Sequence, residues 1–227
     1  MTVLSLSAVA VAVAVLALAG CSTGSTASST QAASATTPSE SASAPAPLSS
    51  AALAKRLLDE GDLDEGFTRL PQRPAAHDDV TVIGCPELEK LGDEAATGAG
   101  LGFSRKAKVT FTYSAGGDSE VSEELYSDTA AKLSKGIGEI FDAMVSCPAY
   151  QVVSGSTVID MGTHEATVPD LGDEQWSQLL TYSVGGQRSV VKQTAVRTGN
   201  VVVVVSGSPG LVDANLKKAL AKVQAVD

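Results

Sequence analysis

The feature that most limits the fold of this chain is a run of five consecutive valines, Val201–Val205. Valine favours extended backbone because its β-branched side chain is stiff and packs well on a pleated surface. Successive side chains of a strand point to opposite faces, so this run has no polar face to turn toward water. We therefore predict a central strand that other elements cover on both faces.

Alternating patterns elsewhere predict that this strand belongs to an antiparallel sheet. Val109, Phe111 and Tyr113 alternate with threonines, and a glycine-containing turn then leads to a second segment at 121–126, which predicts a hairpin. Further strands are predicted upstream of the valine run, with turns at Gly185-Gly186 and Gly199-Asn200. These strands are 157–168, 176–184 and 187–197.

Apolar residues at helical spacing predict a long amphipathic helix that begins at an Asp128 N-cap and stops before Pro148. Its buried face is expected to carry Leu133, Ile137, Ile140, Phe141, Met144 and Cys147. Shorter helices are predicted at 50–59, 86–91 and 213–225. Helices and antiparallel strands that occur in separate blocks indicate a single α+β domain with flanking helices.

The N-terminal residues have the pattern of an export signal. Residues 3–20 carry no charge, and Leu18-Ala19-Gly20-Cys21 resembles a lipoprotein signal-peptidase site, where small residues precede the modified cysteine. We predict a signal peptide over 1–20 and acylation of Cys21, and two acyl chains suffice for stable attachment to the outer face of the cell membrane. The alternative is a transmembrane anchor with an incidental cysteine.

The next segment, 21–49, is composed almost entirely of serine, threonine, alanine and proline. Side chains this small and polar cannot bury enough apolar surface to offset the entropy of ordering the chain. We predict a disordered linker, either unmodified or O-glycosylated, that precedes a globular domain over 50–227.

Two cysteines, Cys85 and Cys147, remain in the predicted domain once Cys21 is acylated. An even number of cysteines in an exported domain predicts a disulfide, since that compartment is oxidising. Two buried free thiols are the alternative.

Several function classes are disfavoured. The net charge of −10, with no cluster of Lys and Arg, argues against a nucleic-acid partner. No Gly-x-Ser-x-Gly nucleophile motif occurs, and the two histidines, His77 and His164, lie in a predicted surface loop and near a strand end. Three cysteines and two histidines are too few for an ordinary zinc cluster. We predict no catalytic residue, no metal site and no cofactor, and therefore no enzyme. The alternative is a hydrolase with a non-standard site.

One strand offers a candidate ligand site. Trp176, the sole tryptophan, shares one side of its strand with Gln178, Leu180 and Tyr182, because side chains alternate. In a sheet with helices on one face, the free face of these strands would form a natural binding wall, and Trp and Tyr have the large apolar bodies that such a wall needs. The alternative is that this side of the strand faces the core.

Short motifs resemble those of a known family. The motifs are Gly66-Phe67-Thr68-Arg69-Leu70-Pro71, Cys85-Pro86-Glu87-Leu88, Cys147-Pro148 after an amphipathic helix, and Gly199-Asn200 before the valine strand. Together they are similar to the PknH-like sensor-domain family of actinobacteria, which comprises a receptor-kinase sensor domain and free-standing lipoproteins. The resemblance implies one α+β domain with a central cleft for an unidentified ligand. The kinase sensor has two disulfides, whereas this chain has cysteines for one.

From these observations we expect a lipid-anchored, extracytoplasmic binding or sensor-type domain. Its expected partners are the membrane through Cys21, a small ligand or cell-envelope component, and a membrane protein to which that ligand is presented. The alternative is a non-catalytic structural or interaction lipoprotein of the cell wall.

Overall fold

All five residues of the valine run are buried in a central strand, as the sequence predicts. The computed structural model describes residues 45–72, 80–92, 102–114, 119–167 and 170–225. The predicted signal peptide, Cys21, most of the predicted linker and His77 lie outside the described residues. The described residues belong to one compact unit that spans 43–227.

The described residues form nine strands, four α-helices and one 3₁₀ helix. The strands are β1 (Phe67–Arg69), β2 (Val80–Ile83), β3 (Lys106–Tyr113), β4 (Ser119–Ser127), β5 (Ala149–Ser154), β6 (Thr157–Glu165), β7 (Glu174–Val184), β8 (Gln187–Thr198) and β9 (Val201–Gly207). The helices are α1 (Ser50–Ala54), α2 (Pro86–Leu91), α3 (Ala130–Ser146) and α4 (Pro209–Gln224), and a 3₁₀ helix spans Glu60–Asp62.

Within the described ranges, the strands form one antiparallel sheet in the order β1-β3-β4-β9-β8-β7-β6-β5-β2. The predicted hairpins β3–β4, β7–β8 and β8–β9 are confirmed, and β9 lies between β4 and β8. The α+β class and the antiparallel sheet with flanking helices are therefore confirmed.

Helices cover both faces of the sheet, which explains why β9 needs no polar face. Val201, Val203 and Val205 pack in a cluster with leucines of the α1 region and with α4. Val202 and Val204 point to the other face, into a cluster with Leu133 and other residues of α3. Each face of β9 thus has its own apolar layer.

The long helix has the buried face that its spacing predicts, but its N-cap is one residue later than expected. The Thr129 hydroxyl accepts a hydrogen bond from the Lys132 backbone N–H at 3.4 Å, so Thr129 is the N-cap. Asp128 instead accepts from the Thr129 N–H and binds the Lys132 ammonium at 2.7 Å, which lowers the pKa of its carboxyl.

The predicted helix over 50–59 ends early, at Ala54. Leu57 and Leu58 are nevertheless buried, because the chain turns toward the sheet and Leu58 donates its N–H to the carboxylate of Glu123 at 2.7 Å. The acidic segment that follows is held by α4, where Lys222 binds Asp59 and Asp62. These ion pairs hold Lys222 against the acidic segment.

The predicted disulfide between Cys85 and Cys147 is present, with the two Cα atoms 5.6 Å apart. Pro86 occupies the first turn of α2, as predicted. The bridge therefore joins the start of α2 to the end of α3. Around it lies an apolar cluster formed by Val82, Leu88, Ala143, Met144, Tyr150 and Val152.

The residues before α1 are fastened to the turn between β8 and β9. The side-chain amide of Asn200 donates to the carbonyls of Pro45 and Ala46 at 3.3 and 2.6 Å. The Ser127 hydroxyl accepts from the Leu48 N–H at 2.8 Å and donates to the Asn200 carbonyl. The chain therefore enters the domain at the end of the sheet where β7 begins, since Glu174 pairs with Arg197 just before that turn.

Candidate functional site

A cleft of about 550 Å³ opens between the C-terminal half of α3 and the first residues of β7. Residues 165–167, at the end of β6 and just after it, form the third side of the cleft. Its lining residues are Phe141, Asp142, Val145 and Ser146 of α3, Glu165, Ala166 and Thr167 at the end of β6, and Gln175, Trp176 and Ser177 of β7. This volume lies within the range of small-molecule pockets.

The apolar wall of the cleft is built around Trp176. The alternation of β7 turns its side chain toward α3, where its ring lies 6.4 Å from that of Phe141, centroid to centroid, at 37°. Residues 138, 141, 142 and 145 share one side of α3 because of the helical period. Gly138 faces the indole, and a Cβ there would make an ordinary van der Waals contact with Nε1 at 3.7 Å. Trp176 remains half-buried, whereas Phe141 is only 6% exposed.

Some polar groups of the cleft already form hydrogen bonds within the protein, and others do not. The Ser177 hydroxyl shares a hydrogen bond with Thr194 at 2.8 Å, and the Ser146 hydroxyl donates to the Ala143 carbonyl at 2.7 Å. In contrast, Asp142 and Glu165 are exposed, and neither forms an ion pair within the described residues. These two carboxylates are therefore available to a ligand.

The rim of the cleft is fastened by ion pairs. Arg197 donates from Nε to Glu174 at 2.7 Å and from Nη1 to Asp173 at 2.9 Å. The hydrogen bond to Arg197 lowers the pKa of the Glu174 carboxyl, and the same bond raises the pKa of the guanidinium. Ser134 of α3 also donates to Glu174, at 3.0 Å. The start of β7 is thus tied both to β8 and to α3.

Backbone packing reinforces the same rim. Gly172 has a φ of 67°, and a Cβ at this position would lie 2.4 Å from the carbonyl oxygen of Arg197. A glycine is required here because both the left-handed conformation and the close approach exclude a side chain.

The four residues of the predicted binding wall are placed differently from one another. Trp176 lines the cleft, but Gln178 is fully buried and donates to Gln193 Oε1 at 2.9 Å and toward the sulfur of Met144. Leu180 packs against the cluster around the disulfide, and Tyr182 is half-buried farther along β7.

The expectation of a free face beside these four residues is wrong, because α3 crosses that face of the sheet. The ligand-binding roles of Trp176, Gln178 and Tyr182 remain predictions, and of these three Trp176 lines the cleft.

Sequence reasoning missed the other walls of the cleft. The helical spacing of α3 assigns Phe141 to the buried face, but no role is predicted for Val145, which lies four residues later on the same side. Glu165 and Gln175 carried no signal. Glu165 reaches the cleft only through the pairing of β6 with β7, where it lies opposite Gln178.

The described residues contain no group of three or more His, Cys, Asp or Glu side chains that could hold a metal ion. His164 is exposed and pairs across the sheet with Leu179, on the face opposite Trp176. No helix within the described ranges is long and apolar enough to cross a bilayer.

Comparison with known proteins bears on the fold. No family model matches the chain, and no curated protein matches it. Among solved structures, it is similar to the crystal structure of the extracellular domain of PknH from Mycobacterium tuberculosis, with a TM-score of 0.60 and 15% identity. The match covers 79% of this chain and 98% of that one. The chain therefore has a PknH-like fold.

Proposed function

We propose that this protein is an extracytoplasmic, sensor-type binding domain that is anchored through an acylated Cys21 and holds a small ligand in the Trp176 cleft. The observation that carries the proposal is the cleft itself. It combines a half-buried tryptophan, a buried aromatic neighbour and two available carboxylates in one concave site. Apolar walls with a few placed polar groups are the usual form of small-molecule sites.

Two further observations support the proposed location. The fold resembles a domain that is extracellular in its own protein. The Cys85–Cys147 disulfide is of a kind that persists in oxidising compartments outside the cytoplasm.

The test uses the fluorescence of Trp176, which reports on the cleft without interference because the chain has no other tryptophan. A half-buried cleft indole is expected to be quenched by acrylamide. Small-molecule fractions of a cell-envelope extract are expected to protect it in a saturable manner.

Val145→Phe supplies the decisive variant, since it fills the cleft and leaves Trp176 as the sole tryptophan. It is expected to abolish protection while the domain remains folded. The matched control is Val190→Phe, the same change at a 45% exposed position on the opposite face of the sheet. Protection that survives Val145→Phe, or a Trp176 that acrylamide cannot reach in the free protein, would contradict the proposal.

A specific observation also favours a second candidate, a structural or interaction lipoprotein without a small ligand. Three large apolar side chains, Ile83, Val158 and Val190, are 45–50% exposed. The strand pairings place all three on the face opposite Trp176. Under this alternative, replacing them with threonine would remove association with cell-wall material, whereas Val145→Phe would have no effect.

A further inference from the structure

The charged groups that line the Trp176 cleft are all of one sign. Asp142 stands on α3 and Glu165 at the end of β6, so the two carboxylates approach the cleft from different elements. No Lys, Arg or His is among the lining residues. The nearby guanidinium of Arg197 is already engaged by Asp173, Glu174 and the Gly199 carbonyl.

The aromatic wall adds to this preference. The faces of Trp and Phe rings carry partial negative charge and attract cations, with Trp the strongest of the side chains. The cleft therefore offers an organic cation both an aromatic surface and carboxylate partners. An anion of the same shape would meet two carboxylates and a chain with a net charge of −10.

Resting on the proposed binding function, we propose that the ligand of this cleft is an organic cation, an amine or ammonium group joined to an apolar body. The ammonium group lies at the rim between Asp142 and Glu165. The apolar body packs on Trp176, Phe141 and Val145. The volume of about 550 Å³ accommodates a body the size of an aromatic ring or larger.

Three probes of nearly the same shape and different charge test this inference: phenethylammonium, 2-phenylethanol and phenylacetate. Binding is measured by Trp176 fluorescence and, for optically silent binding, by saturation-transfer NMR of the probe. The cation is expected to bind most tightly and the anion most weakly. The preference for the cation is expected to shrink as salt is added, because exposed charges are screened.

Neutral variants identify the groups responsible. Asp142→Asn and Glu165→Gln are each expected to weaken binding of the cation about two- to fivefold, which is the range for exposed ion pairs. Neither change is expected to alter the affinity for the alcohol. Glu139→Gln is the control, because Glu139 is an acidic residue of α3 that does not line the cleft and pairs with Lys135. It should change none of the three affinities.

A measurement without any ligand reports the negative charge of Asp142 and Glu165 near Trp176. Relative to its quenching of free N-acetyltryptophanamide, Cs⁺ is expected to quench Trp176 more efficiently than iodide does, and the double variant of Asp142 and Glu165 should remove this difference.

Equal binding of cation and alcohol, or tighter binding of the anion, would overturn the assignment of ligand class and leave the proposed binding function standing. Lack of binding by all three probes would also overturn it, and the envelope-fraction experiment on Val145→Phe then decides separately whether the binding function fails as well.

Discussion

Replacement of Glu123 by glutamine is expected to stabilise the domain at neutral pH and to remove a pH dependence of folding. Glu123 stands in the middle of β4 with its side chain 1% exposed. One carboxylate oxygen accepts the Leu58 N–H at 2.7 Å, and the other has no hydrogen-bond partner in the structure. The charged groups that act on it are Lys222 of α4 and Asp62 of the 3₁₀ helix.

Burial raises the pKa of Glu123 from 4.5 to about 7, against the opposing effects of the Leu58 hydrogen bond and of Lys222. Between these two values the folded chain holds a proton that the unfolded chain has released, so the free energy of unfolding falls as pH rises. The stabilisation is complete below pH 4.5 and is lost as pH rises through about 7. A difference of about 2.5 pKa units corresponds to about 3 kcal/mol.

The assay is denaturant unfolding of the wild type and Glu123→Gln from pH 4.5 to 8, since an amide accepts the Leu58 N–H without carrying charge. The two proteins should be nearly equal at pH 4.5, and the variant should gain about 3 kcal/mol by pH 8. Groups with a lowered pKa, such as Asp59 and Glu174, affect both proteins alike and act at lower pH. Their contributions cancel when the unfolding free energy of the wild type is subtracted from that of the variant at each pH. Glu120→Gln, an exposed change on the same strand, serves as control. A stability difference that does not vary with pH would refute the reasoning.

Three further predictions concern the anchor, the bridge and the rim. Cys21→Ala should yield an uncleaved or mislocalised precursor without incorporated lipid, and equal lipid labelling of the variant and wild type would contradict the anchor. Replacing Cys85 and Cys147 together by alanine should lower the free energy of unfolding by about 4 kcal/mol in denaturant titrations, because their separation of 62 residues closes a long loop; an unchanged midpoint would argue against this. Gly172→Ala should lower the free energy of unfolding by about 1–3 kcal/mol, more than Gly155→Ala does. Both glycines have positive φ, but a Cβ on Gly155 meets no atom within 4 Å, so equal losses would show that the contact with Arg197 is unimportant.

The parts of the fold that the sequence predicts are those in which one local pattern determines the outcome. Five valines require cover on both faces, and the spacing in α3 places Leu133 and Met144 in the core, as observed. Strands β1 and β2 escaped prediction because each has four residues or fewer and pairs with a strand that is distant in sequence. Strand β5 pairs with its neighbour β6 but has only six residues.

The cleft was less accessible to prediction than the fold. Trp176 stood out as a single large aromatic residue, but which face α3 would cover depends on how the helix crosses the sheet. That crossing is fixed partly by the Cys147 bridge and partly by the contact of Ser134 with Glu174. The bridge itself is predicted from the cysteine count, but the direction that it gives α3 is not, and the Ser134 contact has no signature in local sequence.

The position of β9 has a consequence for the order in which the domain can assemble. It is the ninth strand along the described chain but the fourth across the sheet, and it separates the β1-β3-β4 group from the group that runs from β8 to β2. During synthesis both groups exist before their shared neighbour does, and each then presents an unpaired edge. The final hydrogen bonds of both groups form with residues 201–207, so the two halves close in one late step that joins distant parts of the chain. In the exported chain that we propose, this strand order delays closure of the sheet until residues 201–207 are available.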